Sequence, residues 1–169
     1  MGNVGLGFGF DIGSVIIPVN LQTGTNTGHR IHMQNYGAVT FVGYLAAGDS
    51  GQNPTFDLQE ANAASGGSIQ DLDIVDEYWQ KEEASLDGDE TWTRVTQSAA
   101  SEVTDADWDD ANEVLVAFTV RAEQLSDNFE WVTIVVAQPG GGSPLGCVFA
   151  IMHDLKVMRA PQNLVQPNA

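Results

Sequence analysis

The chain has 169 residues, 43% of them hydrophobic, which is enough for one domain with a sizeable core and excludes a wholly disordered polypeptide. Six Lys and Arg stand against 23 Asp and Glu, a formal charge of −17 at pH 7 that repels nucleic acid and anionic membranes and suits a basic partner or a bound cation. The charge is uneven: fifteen acids and two bases (Lys81 and Arg94) lie between Asp71 and Glu113, so this stretch holds −13 of the total.

Residues 1–11 read as a flexible arm, because GNVGLGFGF is too rich in glycine to form a strand cheaply. The start has neither the basic region nor the long apolar run of a signal peptide, and MGNVGL lacks the Ser or Thr of a myristoylation motif. No apolar run is long enough for a membrane-spanning helix. From there on the dominant period is two. AVTFVGYLAA (38–47) is apolar on both faces, whereas TFDLQE sets Phe56 and Leu58 against Thr55, Asp57 and Gln59. Asp87-Gly88 signals a hairpin before TWTRVTQ. EVLVAFTVR places Val114, Val116, Phe118 and Val120 on one face. FEWVTIVVAQ (129–138) and LGCVFAIM (145–152) are again apolar on both faces, as expected of central strands or of strands covered by a neighbour.

Further turn signals are Gly48-Asp49-Ser50-Gly51, Ser65-Gly66-Gly67 and Pro139-Gly140-Gly141-Gly142. Only ADWDDANE (106–113) and AEQL (122–125) have room for a helical turn. The expectation is an all-β single domain: an antiparallel β-sandwich or jelly roll over 12–158, with the acidic segment at 71–113. Residues 159–169, with two prolines and no period, form an extended C-terminal tail that is ordered only where it lies on something.

Few residues carry an obvious chemistry. Asp105, Asp107 and Asp109 have the D-x-D-x-D spacing that opens an EF-hand loop, but Asp110 and Val116 occupy the places that need Gly and Glu. A looser calcium site in a β-loop is the minority reading, and a solvated loop or capped turn the main one. His29 and His32 would face opposite sides of a strand, and His153 sits beside Asp154 at a strand end. The lone Cys147 lies in an apolar run and reads as a small core residue. With 23 acids, paired carboxylates carry no information about glycoside hydrolysis. Nothing implies a cofactor or an enzymatic activity. Of the four tryptophans, Trp79, Trp92 and Trp108 lie in the acidic stretch and Trp131 outside it; exposed, such rings could stack sugars, and buried, they would be core.

The order of segments resembles a family of small structural proteins of tailed bacteriophages. It is carried by IIPVNLQTGTNTGHRIHMQNYGAVTFVGYLAAGDSGQNPTFDLQEA (16–61), by TWTRVTQSAASEVTDADWDDANEVLVAFTVRAEQLS (91–126), and by FEWVTIVVAQ and PLGCVFAIMHDLKVMRAP within 129–161. The acidic insert at 71–90 is the least similar part. Proteins of this kind are head decoration, or cement, proteins. The resemblance implies a virion protein on the capsid surface, with the major capsid protein and its own copies (a homotrimer) as partners, and no nucleic acid or membrane. The resemblance supplies no residue-level site; expected exposure makes the arms the contact regions, through Phe8 and Phe10 at one end and Leu164 and Val165 at the other. Two further readings are a carbohydrate-binding module on the virion surface, and a tail or head–tail connector component.

Overall fold

The structure is a computed structural model that describes residues 5–47, 53–109, 112–139 and 145–167. Twelve strands make two antiparallel sheets that pack face to face. The only helical segments among the described residues are 3-10 turns of three or four residues. The expected β-sandwich is therefore observed.

The first sheet contains β1 (Phe10–Asn20), β4 (Tyr36–Leu45), β7 (Val75–Glu83), β8 (Thr93–Ala100), β10 (Glu113–Arg121) and β12 (Leu145–Leu155), in the order β1-β12-β4-β10-β7-β8. The second is built on β5 (Phe56–Ala61) and β11 (Trp131–Val136), which pair side by side. The short strands β2 (Asn26–Thr27) and β3 (Ile31–His32) share the outer edge of β11. In the same way β6 (Ile69–Asp71) and β9 (Glu102–Val103) share that of β5. All three segments that were apolar on both faces are interior strands: β4 between β12 and β10, β12 between β1 and β4, and β11 between β2/β3 and β5.

Alternation along the strands fills the space between the sheets. Val114, Val116, Phe118 and Val120 of β10 point inward, as do Phe41 and Val39 of β4 and Met152 of β12. Phe56, Leu58, Val132 and Ile134 meet them from the second sheet. At Gly43 of β4 the inward position must stay empty, because an added Cβ would lie 2.8 Å from the Phe56 ring. Glu60 continues the inward face of β5 and is fully buried. Its carboxylate is satisfied by the Ser126 N–H at 2.8 Å and the Gln70 amide at 2.6 Å, which ties the 122–127 turn to the sheet. The turns at Gly48–Gly51 and Gly140–Gly142 fall outside the described residues.

Both ends lie on the domain, and the N-terminal one enters a strand before the expected end of the arm at residue 11. The arm ends at Gly9, since Phe10 and Asp11 are already part of β1. Asp11 is buried, with one carboxylate oxygen accepting from the Ile12 N–H and the other from the Tyr36 hydroxyl at 2.8 Å. Burial, and then that carboxylate, raise the Tyr36 pKa well above its ordinary range. Just upstream, Gly5–Gly9 fold into a tight turn. The Gly7 carbonyl accepts from the Arg159 N–H at 2.9 Å, an approach that leaves no space for a Cβ (2.2 Å from the Arg159 carbonyl oxygen). The C-terminal segment lies on its own domain, and the His32 N–H donates to the Pro167 carbonyl at 2.9 Å. Backbone hydrogen bonds thus fix segments that composition alone leaves free.

Tyr36→Phe removes a hydroxyl from a buried carboxylate, so it is expected to destabilise the fold by about 1–3 kcal/mol in urea denaturation. Gly7→Ala is expected to loosen the contact between the two ends, read as faster amide exchange at Arg159.

Candidate interaction face and groove

The register of the six-stranded sheet defines its outer face. Ser14, Phe149, Val42, Ala117, Trp79 and Arg94 line up across all six strands. The adjacent row on one side is Ile12, Ile151, Thr40 and Thr119, and on the other Cys147, Tyr44, Leu115 and Lys81. Val42 is buried yet lies outside the core cluster, as its outward position requires. Towards β1 the face is apolar and solvent-exposed: Ile12 and Ile17 keep 53% and 63% of their surface, and Leu145 is similar. β1 is also a sheet edge of eleven residues. The edge itself is engaged in places, since the Val15 carbonyl accepts from the His29 N–H at 2.9 Å, but an exposed apolar face is the kind of surface that soluble proteins cover with a partner.

Towards β8 the same face deepens into a groove of about 650 Å³. Trp79 and Trp92 stand in its wall, both more than 40% exposed. Lys81 lies over the Trp92 ring at 5.4 Å. Arg94 pairs with Glu77, its Nε–H donating at 2.8 Å, and Arg121 lies 3.8 Å from Asp154. The floor is polar, since Thr40 Oγ1 is 2.8 Å from Thr119 Oγ1 and 3.0 Å from His153 Nε2.

Thr40, His153 and Asp154 have the order of a nucleophile, base and acid, with His153 Nδ1 3.8 Å from the Asp154 carboxylate. β4 is paired along both sides, so its N–H groups are engaged in the two ladders and none near Thr40 is directed at a developing oxyanion. The trio is better described as a hydrogen-bonded polar floor.

The acidic segment divides by environment. Trp108 is buried, edge-on to Phe56 and Tyr78, and its indole N–H donates to Gln80 Oε1 at 3.0 Å. It holds the 3-10 turn Ala106–Asp109 against β7. Asp105 caps that turn through the Asp107 N–H and turns its other oxygen towards Tyr78 and Gln80 at 3.4 and 3.3 Å. Asp107 is exposed. Of the three acids in D-x-D-x-D spacing, Asp105 therefore serves the turn, and Asp107 does not share its surroundings. An exposed group of Glu83, Asp89 and Glu90 does converge near the β7–β8 hairpin, but Glu90 already accepts from the Asp87 and Gly88 N–H groups. Nothing in the sequence alone distinguished Trp108 from Trp79 and Trp92.

The remaining candidates are scattered. His32 stacks on Trp131 at 4.2 Å and meets Glu130 at 3.2 Å, while His29 is exposed. Cys147 is not the core residue expected: it is half-buried on the outer face beside Tyr44, and burial pushes its thiol pKa up. Phe8 is exposed on the N-terminal turn, and Phe10 is half-buried opposite His153. Leu164 and Val165 are half-buried in a crevice with Asn35, Tyr36 and Leu155. Compared with protein-family models, with curated proteins and with solved structures, the chain matches none.

Trp108→Ala is expected to destabilise the protein by about 3–5 kcal/mol, measured by denaturant unfolding. The Tyr78 pKa is pushed up to about 12, first by burial and then by the Asp105 charge. Its folded pKa lies above the ordinary 10.0, so the associated stability is complete below pH 10 and is lost as the pH climbs towards 12. Asp105→Asn is expected to lower the Tyr78 ionisation pH, read by NMR of ring-labelled tyrosine.

Proposed function

We propose that this chain is a non-enzymatic structural protein of a tailed-phage virion, a decoration or cement protein on the outer face of the head. The observation that carries the reading is the exposed apolar outer face along β1 and β12. It supports a protein whose task is to be covered, with Ile12, Ile17 and Leu145 buried against a second copy of the chain in a trimer or against the capsid. The resemblance of the segment order to phage head proteins supplies the setting. Burial at roughly 25 cal/mol per Å² supplies the energy, and repetition over the shell lets modest contacts hold by avidity. The exposed Phe8 extends the contact surface from the N-terminal turn. The acidic β7–β8 side is suited to solvent or to basic capsid loops.

The test is abundance and mass. In virions of the phage that encodes the chain, a stained gel is expected to show it in amounts comparable with the major capsid protein. One ring per virion would instead indicate a connector. Light scattering of the purified protein is expected to give three times the 18.1 kDa of one chain. Ile12→Asp combined with Ile17→Asp is expected to abolish self-association and head binding, with the monomer still folded by circular dichroism.

A further inference from the structure

We propose that the groove between β4 and β8 is a binding site for a neutral saccharide chain stacked on Trp79 and Trp92. Large indoles left more than 40% exposed on a soluble domain call for a reason, and the same fold buries Trp108 and stacks Trp131 on His32. A pyranose presents a C–H face to such a ring and hydroxyls around its rim. The groove answers both parts. Trp79 and Trp92 offer the aromatic surface, and Asp76, Gln124, Thr119 and His153 line the same space with donors and acceptors. Its volume of about 650 Å³ falls in the range of small-molecule sites.

Charge selects the ligand class. Three of the chain's six Lys and Arg residues, Lys81, Arg94 and Arg121, lie on or beside this groove. Each is matched locally: Arg94 with Glu77, Arg121 with Asp154, and Lys81 with the Trp92 ring. The groove is thus locally balanced within a chain of charge −17. An anionic ligand meets the field of the whole protein, and a cationic one finds the carboxylates of Glu77 and Asp154 already engaged by Arg94 and Arg121. An uncharged polyol meets neither.

Trp79 on β7 and Trp92 beside β8 lie at the opposite side of the sheet from Ile12 and Ile17 on β1, so the two readings fail separately. The test applies the purified chain to an array of neutral, acidic and amino-bearing glycans, followed by titration calorimetry with maltohexaose, cellohexaose and chitohexaose. Binding to neutral glycans is expected, and Trp79→Ala and Trp92→Ala are each expected to weaken it by about tenfold or more, as for loss of one stacking contact. Trp79→Tyr and Trp92→Tyr are expected to retain most of it, and circular dichroism checks that every variant is folded. The Ile12→Asp, Ile17→Asp variant is expected to bind glycans as the parent does, even where it no longer self-associates. No neutral glycan bound, binding restricted to acidic glycans or to a lysine-rich peptide, or alanine variants that bind like the parent would each overturn the proposal.

Discussion

The register of β4 between its two neighbours is the constraint on which the rest of the structure depends. Ala38 to Leu45 pair without a break with Arg121 to Val114 on one side and with His153 to Gly146 on the other. Side chains on a strand alternate, so a slip of one residue would turn Val39, Phe41 and Leu45 outward and bring Thr40 and Tyr44 into the core. The pairing thus sets at once what fills the sandwich and what its outer face displays. Gly43 marks the same register from inside, since the Phe56 ring of the opposite sheet occupies the space its side chain would take.

The two faces of this sheet are unequal in polarity, yet both carry apolar residues. The inner face is wholly apolar at its centre. The outer face keeps Val42, Phe149, Ile151 and Leu115 on the same strands, graded from exposed aliphatic residues at β1 to tryptophans and matched ions at β8. Two kinds of surface therefore share one plane. The aliphatic half favours contact with a broad apolar partner, and the aromatic half favours a smaller amphipathic ligand.

Concentrated charge is tolerated because the acidic segment is anchored by residues that are not acidic. Trp108, Tyr78 and Gln80 form an interior hydrogen-bonded cluster on the inner side of β7, and Asp105 joins it through a single carboxylate. The other acids of the β7–β8 hairpin sit on a strand pair largely open to water, where repulsion between them is screened. Burial of Asp11 and Glu60 follows the opposite rule, with each carboxylate fully engaged by nearby donors.

By itself the sequence determined the all-β class and the inward face of β10, and it offered an interior position as one of two readings of β4, β11 and β12. These follow from periodicity and apolar runs, which are local properties of the chain. It also determined that the acids are clustered and that the EF-hand pattern is incomplete. Only the tertiary structure decided which tryptophans are exposed, because Trp79, Trp92 and Trp108 share one acidic context and differ only in what packs beside them. It alone brought Thr40, Thr119 and His153, which are distant in sequence, into one hydrogen-bonded row. The ends were illegible for the same reason: the pairing of Asp11 with Tyr36, and of Gly7 with Arg159, arises between residues whose local sequence carries no sign of a partner.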